Sequence, residues 1–492
     1  MTIRPASQRR RRSRLPSGES RILRGNALAL GTALLGIGMV ICVVGLVGRA
    51  STLPLVVGCL SVVLGGVLCA TKSGVSLVSP LTLTLAPAIM LFVVRPLVFA
   101  WGSAPGTYAV GLQSDMLVRA TALAVVFFLF FAVGFLAKLG VAIARGLPIP
   151  AGRVWYRRRL WAVLALLATI ALVAFLVTVR MSGMSLLASL GDSFSFRIAT
   201  SGGGAFYVSA LALWCMWGVY WLALIDSAGR RAKVGRIIAL AALFLLLALF
   251  TVPFGSRSYL LGPVVGTLFV LDYGRQGARL SIGRALPVLA LMLLFIGGYG
   301  VFRDLSYGGS FSSQALARVL DGGYLSAIVN RLVARFDALD FLAVTLHRFP
   351  AADQGFLLGR SAVDFLVQPL PRALFSAKPY KTSALLTGVL FPDYPRTFTP
   401  EYSLIAEAYI NFGVLSVPLA GLLFGTIVRA IGEYLEAHRH NPSVLFWWAP
   451  VVTAPMAWLM SGFNSDASVG VIMNLVLGLL VLKVIRRGKG LR

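Results

Sequence analysis

The chain has 492 residues, of which 58% are hydrophobic and only 13% charged, and its mean hydropathy is +0.85. Soluble proteins carry about twice that charged fraction, so a water-soluble globular class is excluded. The formal net charge is +28, from 45 Lys+Arg against 17 Asp+Glu; in so apolar a chain it belongs to loops and tails beside anionic lipid, not to a nucleic-acid surface.

Residues 1–26 form a basic tail containing the run RRRR at 9–12, which reads as a topology anchor. The apolar run from Ala27 to Val47 is too long for a signal-peptide core and reads as a retained helix. Apolar runs of about 20 residues, enough to cross a bilayer, recur from there on. Twelve spans are predicted, at 27–47, 53–71, 77–100, 117–137, 160–179, 205–225, 237–254, 258–273, 285–302, 403–428, 444–462 and 467–485. Spans one to nine thus occupy 27–302, a large loop 303–402, spans ten to twelve 403–485, and a short basic tail 486–492. All four cysteines, Cys42, Cys59, Cys69 and Cys215, fall in apolar runs and read as buried thiols.

Loop charge orients the spans. With the N-terminus inside, inner loops carry Lys72, then Lys138, Arg145, Arg153, Arg157, Arg158 and Arg159, then Arg230, Arg231, Lys233 and Arg236, then Arg275, Arg279 and Arg284. The short outer loops hold only Arg49, Arg180, Arg197 and Arg257. Both termini are therefore expected to be cytoplasmic and the loop 303–402 extracytoplasmic. Within that loop, the stretch ARVLDGGYLSAIVNRLVARFDALDFLAVTL at 317–346 has apolar residues at helical spacing. It predicts one or two amphipathic helices lying at the membrane surface.

The sequence contains no P-loop, no dinucleotide-binding glycine fingerprint after a strand, no Asp-x-Asp pair and no Cys/His metal pattern. No metal and no cofactor are expected. What remains on the outer side is a set of cations: Arg180 and Arg197, Arg257, and in the large loop Arg303, Arg335, Arg348, Arg360, Arg372, Lys378 and Lys381, with Arg180, Arg257, Arg303, Arg348, Arg372 and Lys378 the candidates for binding a diphosphate. Guanidinium forks suit phosphate oxygens, and without a metal only such cations can neutralise a diphosphate leaving group. Any one of them could instead snorkel to headgroups or pair with a loop carboxylate, save Arg257, which a Gly-Ser turn fixes at the interface with no nearby acid in sequence. Arg95, near the outer end of its span, reads as a snorkelling side chain. Glu407 and Asn411 share a helix face inside the tenth span. A carboxylate at that depth is costly and should face a cavity or a cation. Glu407 is either a general base or arginine partner, or an interfacial carboxylate at a helix start. His347 is a second candidate base.

The stretches GSRSYLLGP (255–263), PLPRALFSAKP (369–379) and EAYINFGVLSVPLAGLLFG (407–425), in that order around a long outer loop, resemble the O-antigen polymerase (Wzy-type) family, also called oligosaccharide repeat-unit polymerases. The resemblance covers about 250–430. It implies an all-α polytopic membrane protein of multi-span, GT-C-like glycosyltransferase architecture in the bacterial inner membrane. It further implies a metal-independent transfer of a growing glycan from polyprenyl diphosphate to a terminal sugar hydroxyl of another lipid-linked repeat unit. The basic residues would cradle the diphosphate, and Tyr409 and Asn411 would meet the sugar. A flippase and a chain-length regulator are the implied partners beside membrane lipids and the lipid-linked oligosaccharide; no nucleic acid is. An O-antigen ligase would share these features, and a non-enzymatic polysaccharide flippase or exporter, or a structural scaffold, are the other readings.

Overall fold

Glycines set the first crossing. Helix α1 (Ser17–Val47) folds back on α2 (Leu53–Cys69), and Gly31 and Gly38 on one meet Gly65 and Gly58 on the other. A Cβ on Gly65 would stand 2.9 Å from the Gly31 carbonyl oxygen, and one on Gly58 2.9 Å from that of Gly38. In lipid, where apolar burial gives no drive for association, such close backbone approach is what holds helix pairs together.

The chain is described by a computed structural model over residues 17–47, 52–71, 76–100, 113–148, 155–191, 193–200, 203–228, 234–254, 258–274, 337–350, 355–368, 370, 375, 378–379, 381–391 and 402–485. Among the described residues every regular element is a helix. Within the described residues, eight helical segments are long and apolar enough to cross a membrane: Pro80–Phe99, Ser114–Leu136, Arg157–Met181, Gly204–Ser227, Val234–Thr251, Ser416–Ala437, Pro442–Ser461 and Ser468–Ile485. Three shorter apolar helices, Ala27–Val43, Leu53–Cys69 and Leu261–Gly274, fall on predicted spans one, two and eight. The predicted span 285–302 lies outside the described residues. The protein is an all-helical polytopic membrane protein.

After α2, α3 (Pro80–Ile89) passes through a widened π turn at Met90–Val94 into α4 (Arg95–Ala100). Pro96 accounts for the turn. It has no amide hydrogen and its ring would collide with the carbonyl four residues back, so the helix opens there. Next come α5 (Ser114–Leu136), α6 (Leu139–Gly146), α7 (Arg157–Met181), α8 (Leu186–Gly191), α9 (Ser193–Thr200), α10 (Gly203–Ala228), α11 (Val234–Thr251) and α12 (Ser258–Gly274). The second half holds α13 (Ala338–Arg348), α14 (Arg360–Val367), α15 (Thr382–Leu390), α16 (Leu404–Phe412), α17 (Ser416–Ala437), α18 (Pro442–Trp448), α19 (Ala454–Ser461) and α20 (Asp466–Ile485).

Hydrogen bonds between loops sort the helix ends into two groups. At one end Tyr156 N donates to Ile485 O at 3.1 Å, His440 N to Tyr273 O at 3.3 Å, and the Tyr434 hydroxyl to Pro148 O at 3.0 Å. Lys138, Arg145, Arg157, Arg158, Arg159, Arg429, Arg439 and Lys483 all belong to this basic end. At the far end lie α13 to α16 and the turn 462–465. Helices α5 and α17 run in parallel between the two ends. Cβ atoms on Gly421 and Gly425 would lie 2.2 Å from Phe127 O and 2.1 Å from Phe131 O, and one on Gly134 would lie 2.0 Å from Leu422 O. Phe127, Phe128, Phe131 and Phe424 fill the space beside this contact.

Two expectations are corrected. The predicted span 403–428 is broken: α16 stops at Phe412, Gly413 adopts φ +72 and ψ −160, and α17 starts afresh at Ser416. That backbone region is open to glycine and closed to other residues. The crossing helix is therefore 416–437, and α16 is a separate short helix at the far end. The second correction concerns 338–346, expected as part of an amphipathic surface helix. Residues 338–345 of α13 are all buried, packed against α5, α15, α16 and the π turn. Within 338–345 the one charged residue is Asp340, and Asp340 has a buried partner.

Candidate functional site

That partner is Arg95, delivered by the π turn. Its Nη2 donates to Asp340 Oδ2 at 2.6 Å and its Nε to Oδ1 at 3.3 Å. The two residues are 1% and 2% exposed, so Arg95 does not snorkel. Arg95 Nη1 has no hydrogen-bond partner among the described residues. A buried pair of this kind fixes one arrangement more than it adds stability, because desolvation offsets much of the attraction. Here it pins the first turn of α13 to the bundle.

Helix α16 gathers three of the residues expected to act on substrate. Ser403 caps its start, its side chain accepting from Ala406 N at 3.3 Å. Glu407 is buried, and its carboxylate accepts from the Phe463 amide and from Asn464 N, the latter at 3.2 Å to Oε1. Gly462, at φ +76, makes room: a Cβ there would lie 2.3 Å from Glu407 Oε2. Asn411 Nδ2 donates to Ser361 Oγ and to Glu407 O, both at 2.7 Å, while its Oδ1 accepts from Gly359 N at 3.0 Å. The Tyr409 hydroxyl donates to Phe349 O at 3.0 Å. The polar atoms of Glu407, Tyr409 and Asn411 are thus engaged with the protein itself. One helix clasps three far-end loops, at 349, 359–361 and 462–464.

The cations differ among themselves. Arg348 and His347, in the last turn of α13, are exposed. Arg348 Nη1 donates to Leu390 O at 2.8 Å, and its guanidinium lies 6.0 Å from the centre of the Phe391 ring. Its Nε and Nη2 have no further hydrogen bond among the described residues, and the residue as a whole is exposed. Lys378 Nζ donates to Gln368 O and, at 2.9 Å, to Leu370 O, the carbonyls just past α14. A cation there complements the negative end of the helix. The Tyr207 hydroxyl of α10 also donates to Leu370 O, at 3.0 Å. Arg180 is exposed in the last turn of α7, the partner of α10. The structure therefore brings Arg180 and Lys378 to the same end as Arg348. Arg257, Arg303 and Arg372 lie outside the described residues.

No family model, curated protein or solved structure matches the chain.

Among the described residues no three His, Cys, Asp or Glu side chains converge as a metal site would need. Sequence reasoning missed the Arg95–Asp340 pair and the role of Asn464. The Asn464 carboxamide is buried and has no hydrogen-bond partner among the described residues. The pair did leave a signal: two opposite charges, each set in an apolar run, are each costly alone and affordable only together. Asn464 left none, because an asparagine in a turn is ordinarily solvated.

Proposed function

We propose that the protein is a glycan transferase acting on lipid-linked oligosaccharides, of the O-antigen polymerase type. In this reading twelve spans cross the bacterial inner membrane in a GT-C-like arrangement with both termini in the cytoplasm, and the far end is extracytoplasmic. The observation that carries it is Arg348: an exposed guanidinium anchored through one nitrogen and an aromatic ring, at the end of the bundle opposite the basic loops. Arg180 and Lys378 add positive charge at the same end, where charge bias alone would not put it. The resemblance of the stretch at 407–425 to that family supports the same reading.

The chemistry is a displacement at the anomeric carbon. The bond from sugar to polyprenyl diphosphate breaks, the acceptor hydroxyl oxygen forms the new glycosidic bond, and its proton goes to a base. The diphosphate leaves with its charge met by Arg348 and its neighbours. Glu407 already accepts backbone amides, so its part is to hold the turn at 462–464 in place. His347 is exposed beside Arg348 and is the better-placed proton acceptor.

Arg348 gives the test. An ammonium can replace the single bond to Leu390 O but not a planar fork on a diphosphate. Arg348→Lys should therefore lose most polymer, nearly as much as Arg348→Ala, in a chain-length ladder from cells with matched protein levels. A wild-type ladder from the lysine variant would remove Arg348 from the reaction.

A further inference from the structure

We infer that α14 and the turn between α16 and α17 are an interfacial membrane-binding element, seated in the lipid leaflet at the far end of the bundle.

Leu415, Leu419 and Leu423 are all exposed, Leu415 at 89%. Their spacing puts them on one face of a membrane-crossing helix, so acyl chains cover them. Phe412 and Val414, in the preceding turn, are exposed as well. This lipid-facing stripe does not end where the helix ends. Leu357 N donates to Ile410 O and Leu358 N to Asn411 O, both at 2.9 Å, and Gly359 N to Asn411 Oδ1. Through these bonds α14 is fixed to the α16–α17 junction. A Cβ on Gly359 would lie 3.2 Å from the Phe412 ring, so the two surfaces touch.

Helix α14 then presents the wrong face for water. Ser361 points inward to Asn411, while Val363 and Leu366 point outward, Leu366 at 70% exposure. Leu358 sits at φ +49, a conformation L-residues avoid, with its side chain exposed. Its neighbour Gly359 is also left-handed, at φ +87. A soluble loop would place polar residues at such positions. Arg360 and Asp364, paired at 3.7 Å, flank the apolar face. An apolar face with a charged flank, continuous with a surface already in lipid, is the pattern of a helix lying at the boundary of headgroup and acyl chain. The occupant is phospholipid.

The test is site-directed spin labelling in lipid nanodiscs. Cys42, Cys59, Cys69 and Cys215 are first replaced by alanine, and labels are attached at Val363→Cys, Leu366→Cys, Arg360→Cys and Leu419→Cys. Labels at 363 and 366 should have a ratio of oxygen to nickel-chelate accessibility close to that at 419 and well above that at 360. A ratio at 366 equal to that at 360 would overturn the inference. So would an immobile label shielded from both reagents, which marks a protein partner instead. If the cysteine-free chain does not insert, a benzophenone amino acid at position 366 of the chain with its native cysteines decides the matter: phospholipid adducts are expected, and adducts to protein alone refute the proposal. Neither readout uses enzymatic activity, so the outcome is independent of the proposed reaction.

Discussion

Asp340→Ala should destabilise the protein by about 3–5 kcal/mol, the cost of stranding one member of a buried ion pair. Arg95 would be left 1% exposed with no carboxylate on its Nη2 and Nε, and with Nη1 already lacking a partner among the described residues. The first turn of α13 would lose its tie to the π turn, and α13 carries Arg348 at its other end. The double variant Arg95→Met/Asp340→Leu should recover most of the loss, because well-packed apolar residues replace such pairs at little cost. An unfolding titration with SDS in mixed micelles reads both. A wild-type midpoint for Asp340→Ala would mean that the pair is not formed. A double variant as weak as the single would mean that the pair supplies more than mutual neutralisation.

Gly425→Leu should be as damaging, by more than about 3 kcal/mol, for a different reason. The added side chain would begin 2.1 Å from the Phe131 carbonyl oxygen, and a backbone atom cannot turn away. Overpacked cores usually lose about 1–3 kcal/mol when side chains can shift; here α5 and α17 must separate. The ring pair Phe131–Phe424, at 5.8 Å between centroids, would separate with them. Gly432 on the same helix is the control, since a Cβ there meets nothing within 4 Å. Gly432→Ala should therefore unfold at the wild-type midpoint. Assembled protein, read by gel filtration in mild detergent, should collapse for Gly425→Leu alone. A stable Gly425→Leu protein would show that the two helices do not meet at these glycines.

Much of the bundle was legible because hydropathy and loop charge are local signals. The predicted runs at 77–100, 117–137, 160–179, 205–225, 237–254, 444–462 and 467–485 each coincide with a helix long enough to cross. The break at Gly413 was not legible. Its cause is a backbone conformation, and a glycine within an apolar run looks the same whether the helix passes through it or stops. The burial of α13 was not legible: its helical period is right, but Asp340 reads as part of a polar face until a buried arginine is found opposite. At the candidate site, Glu407 and Asn411 stood out as polar groups in an apolar helix, and Tyr409 came only with the family resemblance. They are engaged with amides and carbonyls distant in sequence, such as those of Phe463 and Phe349. Composition carries no trace of such partners. Arg180 and Arg348 are exposed at the far end, and a charge beside apolar runs is visible residue by residue in the sequence.

The central claim is tested most directly by purified protein in liposomes, supplied with a polyprenyl-diphosphate-linked oligosaccharide repeat unit and nothing else. The account predicts a ladder of lipid-linked glycans spaced by one repeat unit, with free polyprenyl diphosphate released as the ladder grows. Substrate recovered unchanged from folded, correctly inserted protein would contradict it.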